Sequence, residues 1–461
     1  MITDYFKLSK FFLYLVPLGI VIVSKSTLFP FIVGKYVWFR TLVDLALIFY
    51  LIGLLFNKQQ LSVVSSQLSN VFKRPLVIAV SIFVFIFILA GFFGVDTANS
   101  FWSNFERGEG GLQLLSLWLF FILLILLFRE EKDWQKLFIL AIIGGIGMAL
   151  YGFLAALGAE KFIGSKFSDS GFRFSGSIGN PAYTAAFSIF MMFYAAYLIV
   201  SKYRQRLFSA GSLALFGTII FFSAVFLLAA TRGAFMGLVA AVISFLGYFI
   251  FSKKELRKWM FPAIGIILIA VSLMIYFKDT ALIKSIPGSR IFDISLSANT
   301  WQHRTYMWKI AIDGWKERPI LGWGPENYIY VFSRHFNVNY YNPSEGFGAW
   351  FDRAHSVYFD YLVETGILGL LSFLGIWIVF YWQHIINSKS QITNFKQIQN
   401  SIRQSANKIQ NSLSSIEPAL LFALPIAYLV QGIVLFDVLP IYFNLFLFLS
   451  FAAYKFSKQE L

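Results

Sequence analysis

Apolar positions form long runs along most of this chain, and short polar segments separate the runs. A membrane-spanning helix needs roughly 20 mostly apolar residues, and about twelve runs meet this length. The pattern predicts an all-α polytopic membrane protein with about twelve transmembrane helices, in a single transmembrane domain over residues 1–461. The candidate spans lie near residues 8–24, 36–56, 75–94, 111–128, 137–157, 181–200, 207–229, 234–251, 260–277, 355–383, 418–436 and 440–454.

The longest polar segment, residues 278–354, lies between the ninth and tenth candidate spans and contains helical patterns of its own. Residues 300–318 repeat apolar positions with the period of an amphipathic helix. Arg304 falls in the apolar stripe, and we expect it in the first turn, where unpaired backbone N–H groups favour an anion. The other members of the predicted stripe are Trp301, Trp308, Ala311, Ile312 and Trp315.

A second polar segment, residues 384–417, separates the tenth and eleventh candidate spans. Ile402, Ile409 and Ile416 recur every seven residues there, which predicts an amphipathic helix. Its basic residues suit binding to anionic lipid, and a solvated connector between spans explains the pattern equally well.

The amino-acid composition also indicates that most of this chain lies in a lipid bilayer. Hydrophobic residues make up 58% of it and charged residues only 13%, whereas soluble domains carry roughly 25% charged residues. A net charge of +15 would suggest nucleic acid binding in a soluble protein. Here the basic residues lie in short loops that orient spans, so no nucleic acid partner is expected.

Metal binding is not expected from the residue types present. Cys is absent, which excludes thiolate ligands and disulfides. The spacing of His303, His335 and the nearby carboxylates fits no standard ligand pattern. The sequence therefore predicts neither a metal nor another cofactor.

Lys and Arg are concentrated in alternate short loops, and this asymmetry predicts orientation. The richer set comprises the loops near residues 57–74, 129–136, 202–206 and 253–258. By the positive-inside rule these loops are cytoplasmic. Both termini are then cytoplasmic, and the loop 278–354 is extracytoplasmic.

Four ionisable residues on the predicted outer face are candidate active-site residues. An ionisable side chain within or beside a membrane is costly, so its presence indicates a functional site. Arg232 lies in a hairpin of small residues between two spans, and Arg173 lies in a glycine-rich segment before Asn180. Arg304 joins them from the loop. His355 opens the tenth span, where a helix N-terminus keeps the imidazole neutral and able to accept a proton. A snorkelling arginine and an interfacial histidine are the plainer readings, but three arginines together indicate a phosphorylated substrate.

Short motifs around these residues occur in a characteristic order. They are Gly179-Asn180-Pro181, Thr231-Arg232-Gly233, Arg304-Thr305-Tyr306-Met307-Trp308 with Pro319-Ile320-Leu321-Gly322-Trp323-Gly324, and Ala354-His355-Ser356 with Glu364-Thr365-Gly366-Ile367-Leu368-Gly369. With these motifs and its predicted spans, the chain resembles the O-antigen ligase and O-antigen polymerase superfamily of bacterial membrane glycosyltransferases.

The resemblance implies metal-independent transfer of a glycan from an undecaprenyl-diphosphate carrier to an acceptor hydroxyl, at the outer face of the bacterial cytoplasmic membrane. It implies that Arg232, Arg304 and His355 matter for activity. Arg173 and Asn180 are added here as candidate substrate contacts. The acceptor stays open among a lipid A core, a growing polysaccharide and a protein, so ligase, polymerase and protein O-oligosaccharyltransferase are alternatives.

From the residues alone, a transporter or channel for an anion is the main rival from another class. The outer arginines would attract the anion, and Asp44, Asp360 and Glu364 are candidate buried charges. The absence of a detectable internal repeat counts against this reading. A flippase-like structural partner of a glycan assembly complex is a third possibility.

Overall fold

A computed structural model describes residues 2–56, 66–104, 107–159, 172–294, 299–338, 350–399 and 415–457. These ranges are helical and contain no β-strand. The α-helices include Ile2–Leu15, Val33–Leu55, Pro75–Phe92, Thr97–Trp102, Gly111–Leu127, Glu131–Ala156, Pro181–Lys202, Ala210–Ala229, Arg232–Ser252, Arg257–Tyr276, Ala281–Lys284, Asn299–Glu317, Tyr328–Arg334, Val357–Gln399, Ile416–Gly432 and Leu439–Ser457.

Nine helices within the described ranges are long and apolar enough to cross a membrane. The all-helical, multi-pass character predicted from the sequence is therefore confirmed, but the count of twelve spans is not. Three predicted spans correspond to shorter helices of 14, 17 and 17 residues, namely Ile2–Leu15, Gly111–Leu127 and Ile416–Gly432. The first of these gives way to the 3₁₀ helix Val16–Val21, where Pro17 cannot donate a backbone hydrogen bond.

Helix Arg257–Tyr276 shows most clearly that the surface suits lipid. None of its residues is buried. Its exposed apolar side chains include Trp259, Phe261 and Ile266. An exposed apolar surface of this length would be unfavourable in water. Lipid contact accounts for it.

The chain divides into two compact units. The first unit comprises Met1–Arg129, Ser295–Val379 and Gly432–Ala453, and the second comprises Glu130–Ile294, Phe380–Gln431 and Tyr454–Leu461. Residues 278–294 of the long polar segment thus belong to the second unit, and its described residues from 299 onward belong to the first.

Helix Asn299–Glu317 anchors the long segment in the first unit. It buries Met307, Ile310, Ala311 and Gly314, and Ile310 and Ala311 pack in one cluster with Tyr328 and other residues of the segment. The buried stripe is therefore rotated by about one residue from the predicted one, and Trp301, Trp308 and Trp315 are only partly buried. Gln302, Thr305, Lys309 and Lys316 are exposed, whereas Asp313 is partly buried.

Two motifs singled out in the sequence bind each other through their backbones. Helix Val357–Gln399 is interrupted at Gly366, which has φ 65° and ψ −169°. The interruption lets the carbonyls of Val363 and Glu364 accept hydrogen bonds from the amides of Trp323 and Gly324, at 3.0 and 2.8 Å. The segment 319–324 is thereby fixed against the broken helix.

Replacement of Gly366 should disrupt this lock. A Cβ atom at this position would lie 2.2 Å from the carbonyl oxygen of Ile320, and the backbone has positive φ. We expect Gly366→Ala to lower the free energy of unfolding by about 3 kcal/mol, measured as a lower thermal midpoint in detergent. The matched control is Gly375→Ala in the same helix, where a Cβ meets nothing within 4 Å. Equal midpoints for the two variants would contradict the lock.

The second unit is centred on helix Pro181–Lys202. This helix packs along Ala210–Ala229 and also against Glu131–Ala156, and it buries aromatic side chains such as Phe187, Tyr194 and Tyr197. Its N-terminus follows the glycine-rich segment that carries Arg173.

The predicted connector 384–417 is described only in part. Residues 384–399 continue helix Val357–Gln399. Ile402 and Ile409 lie outside the described residues, so the seven-residue repeat stays a prediction.

Candidate active site

His355 occupies a strained backbone position in the first unit. Its φ of 58° is uncommon for a residue with a side chain and requires support from its surroundings. We call residues Asp352–Ser356 the His355 corner. The corner directly precedes helix Val357–Gln399.

A buried ion-pair network supports the corner at Arg353. Both carboxylate oxygens of Glu364 accept hydrogen bonds from Arg353 Nη1, at 2.9 and 3.1 Å. Glu326 also bonds this guanidinium, and a carboxylate oxygen of Glu109 lies 3.8 Å from it. All four side chains are buried, so removing Arg353 would leave the carboxylates without their cation at a high free-energy cost.

The residues on either side of Arg353 are fixed as well. Asp352 accepts hydrogen bonds from Arg107 Nε and Nη2, at 2.7 and 3.0 Å. The Ala354 amide donates to Asp360 Oδ1 at 2.7 Å. Burial acts to raise the pKa of Asp352, but the hydrogen bond from Arg107 holds that pKa below its ordinary value. Asp352 is thus an ionised partner of Arg107.

The imidazole of His355 is arranged as a proton acceptor. Its Nδ1 lies 3.1 Å from the carbonyl oxygen of Arg353, which selects the tautomer with the proton on Nδ1 and the lone pair on Nε2. Phe351 and Phe436 contact the ring edge-to-face. Burial lowers the pKa of His355 to about 4. The ring is therefore neutral near pH 7, with burial as the largest cause.

Arg304 belongs to the same electrostatic environment. Its positive charge is one of the causes that lower the pKa of His355, and its side chain is partly buried. Because the helix begins at Asn299, Arg304 lies in the second turn, beyond the unpaired backbone N–H groups. The expectation of a first-turn anion site at Arg304 is wrong, since the helix starts earlier than the pattern indicated.

The second unit holds Arg173 and Arg232 within a group that we call the arginine cluster, formed by Arg173, Arg232, Arg290, Lys278 and Asp293. Arg232 is the first residue of its helix. Its guanidinium pairs with Asp293 Oδ2, and Lys278 Nζ lies 2.6 Å from Asp293 Oδ1.

Hydrogen bonds to the C-terminal end of helix Ala210–Ala229 and to the residues after it position Arg173. It donates to the carbonyl oxygen of Ala229 at 3.2 Å and to Thr231 Oγ1 at 2.9 Å. Burial, followed by the charges of Arg290 and Arg232, lowers the pKa of Arg173 to about 10. Like charges held this close favour an anion between them.

Gly288 brings Arg290 into the arginine cluster. A Cβ atom at residue 288 would lie 1.9 Å from the carbonyl oxygen of Leu227, and φ is +78°. Only glycine permits this approach of the chain to the end of helix Ala210–Ala229. The turn that follows delivers Arg290 and Asp293 to Arg232.

Asn180 has a structural task in the second unit. Its side-chain oxygen accepts a hydrogen bond from the Ala182 amide at 2.8 Å and caps helix Pro181–Lys202. Its role as a substrate contact remains a prediction.

An apolar cavity of about 240 Å³ lies within the second unit. Helix Arg232–Ser252 contributes residues from Leu238 to Phe245 to its wall. At 1.5 Å per residue, Leu238 is about 9 Å along the helix axis from Arg232. Other wall residues are Met192, Phe193 and Leu424.

Sequence reasoning did not single out Arg290, Lys278, Asp293 or Glu326, and it named Glu364 only as a candidate buried charge and a motif residue. Arg290 and Arg232 are 58 residues apart, and no local periodicity relates such positions. Among the described residues, no group of three or more His, Cys, Asp or Glu side chains is placed to hold a metal ion.

Part of the chain matches the model of a known protein family. Residues 216–374 match the family model for O-antigen ligase, a stretch that includes Arg232, the arginine cluster members Lys278, Arg290 and Asp293, and both Arg304 and His355. A search of curated proteins found no match to the chain. The resemblance noted in the sequence is therefore confirmed over residues 216–374, where the chain is similar to the O-antigen ligase family.

Proposed function

We propose that this protein transfers a glycan from an undecaprenyl-diphosphate carrier to an acceptor hydroxyl, without a metal ion, at the outer face of a bacterial cytoplasmic membrane. The observation that carries the proposal is that Arg232 of the arginine cluster begins the helix that also lines the apolar cavity. An anion site beside an apolar space suits a lipid-linked diphosphate.

The proposed chemical step is a single displacement with inversion at the sugar carbon. The acceptor oxygen bonds to the anomeric carbon while the bond from that carbon to the diphosphate oxygen breaks. The hydroxyl proton passes to Nε2 of His355, and the electron pair of the broken bond goes to the diphosphate. Arg232 and Arg304 stabilise the diphosphate as it leaves, and Arg173 contributes to donor binding.

Orientation in the membrane carries a prediction of its own. We expect residues 299–338 outside and the loop near residue 132 in the cytoplasm, as the positive-inside rule requires. The chain has no Cys, so Lys309→Cys and Lys132→Cys each introduce one exposed thiol. A membrane-impermeant thiol reagent added to intact cells should label position 309 and spare position 132. The reverse labelling would invert the proposed orientation.

The acceptor is identified by direct assay. Purified protein would receive lipid-linked glycan together with a lipid A core, a glycan or a peptide acceptor in separate reactions. We expect transfer to one of them with release of undecaprenyl diphosphate. Growth of the donor glycan itself would identify a polymerase, and transfer to peptide would identify a protein O-oligosaccharyltransferase.

Anion transport is the alternative function, and the glycan-transfer assay distinguishes it from the proposed one. Two of its candidate charges are engaged near the His355 corner, Glu364 with Arg353 and Asp360 with the Ala354 amide. Uptake of a labelled anion by proteoliposomes, abolished by Glu364→Gln, together with no glycan transfer would reverse the proposal.

A further inference from the structure

Asp293 occupies the arginine cluster in the way a bound anion would. Its two carboxylate oxygens bind different cations, Oδ2 the guanidinium of Arg232 and Oδ1 the ammonium of Lys278. Arg290 contributes its carbonyl oxygen to Arg232, at 3.4 Å, and its charge acts on Asp293. A phosphate group presents the same kind of oxygens to such donors.

The cluster carries more positive charge than Asp293 can balance. Arg173, Arg232, Arg290 and Lys278 contribute four cationic groups, and Asp293 is the carboxylate that bonds two of them. The Asp293 side chain is 46% exposed, whereas the partly buried Arg173 is fixed by Ala229 and Thr231. Arg173 is thus held in place independently of Asp293, and the Asp293 carboxylate can leave toward solvent.

We propose that Asp293 is a resident carboxylate that fills the anion site of the arginine cluster until a phosphate group of the donor displaces it. The inference rests on the proposed function in one respect, namely that the phosphate belongs to a lipid-linked donor. Asp293 keeps the like charges of Arg232, Lys278 and Arg290 together while the site is empty of donor, and it sets how strongly an anion must bind to enter.

Displacement predicts a gain of affinity when the carboxylate is neutralised. The donor diphosphate carries two negative charges, one on each phosphate, so it outcompetes one carboxylate, but the competition weakens its apparent binding. Asp293→Asn keeps the shape of the side chain and removes the competing charge. We expect inorganic diphosphate to bind this variant about three- to tenfold more tightly than wild type.

The test is calorimetric titration of inorganic diphosphate into the full chain in detergent. The matched control is Asp279→Asn, which removes the same charge nearby, where Asp279 faces Lys284 at 3.6 Å. The control should change the affinity less than twofold. An unchanged or weaker affinity in Asp293→Asn, or an equal gain in the control, would overturn the proposal.

A second measurement keeps Asp293 in place, in case Asp293→Asn does not fold. Ile294→Cys introduces a single thiol beside Asp293 in a chain without Cys. Its rate of labelling by a soluble thiol reagent should rise about threefold or more at saturating diphosphate. Diphosphate binding with an unchanged labelling rate would show that the carboxylate is not displaced.

The two proposals fail separately. If Asp293→Asn binds diphosphate more tightly and no variant transfers glycan, the displacement stands and the glycosyltransferase function falls. If wild type transfers glycan and Asp293→Asn shows no gain of affinity, the function stands and Asp293 is a structural counter-ion.

Discussion

His355→Ala should reduce glycan transfer by about a hundredfold to ten-thousandfold, the usual cost of losing a general base. Donor binding should remain close to wild type, because the proposed contact of His355 is with the acceptor hydroxyl. The measurement pairs initial transfer rates with titration of lipid-linked donor. His335→Ala is the matched control, since His335 Nε2 lies 3.1 Å from Glu317 Oε1 and has no proposed part in the reaction.

The pH profile of wild type provides a second readout. Burial lowers the pKa of His355 to about 4, and the base works in its neutral form. Activity should therefore be nearly constant between about pH 6 and 8 and should fall as pH drops through about 4. If His355→Ala weakened donor binding as strongly as it weakened transfer, His355 would be a binding residue and the base would have to be sought elsewhere.

Arg304→Ala should lower kcat/KM by about a hundredfold or more, because one cation that stabilises the leaving diphosphate is lost. Donor binding should weaken as well, since the ground state already carries the diphosphate charge. Arg304→Lys should restore activity only in part, because lysine keeps the charge but lacks the bidentate guanidinium.

The same pair of variants tests the link between Arg304 and His355. The positive charge of Arg304 helps to lower the pKa of His355, so Arg304→Ala should move the acidic limb of the pH profile to higher pH. Arg304→Lys should leave that limb near its wild-type position. Identical profiles for wild type and Arg304→Ala, with donor binding unaffected, would remove Arg304 from the site.

Local hydrophobic pattern predicted much of the helical frame. The candidate spans 36–56 and 75–94 correspond to Val33–Leu55 and Pro75–Phe92, because length and apolar content are local properties of the chain. The predicted first span, residues 8–24, extends too far, because the α-helix ends at Leu15, just before Pro17. The stripe of helix Asn299–Glu317 was displaced because periodicity does not reveal which small residues, such as Gly314, face a neighbouring element.

Chemical type identified the ionisable residues, but the contacts between distant segments could not be predicted. Arg353 meets Glu109 and Glu326 through long-range packing, and Asp293 reaches Arg232 only because Gly288 permits a close turn. The break at Gly366 was equally hidden, since a single glycine in an apolar run has no unique interpretation.

Transfer by purified protein in excess EDTA tests the central claim most directly. The reaction would contain undecaprenyl-diphosphate-linked glycan and the acceptor that supports transfer, and it would follow glycan transfer together with release of undecaprenyl diphosphate. The proposed mechanism predicts equal amounts of both products, at a rate unchanged by EDTA and lost in His355→Ala. A strict requirement for a divalent metal, or a His355→Ala variant as active as wild type, would contradict it.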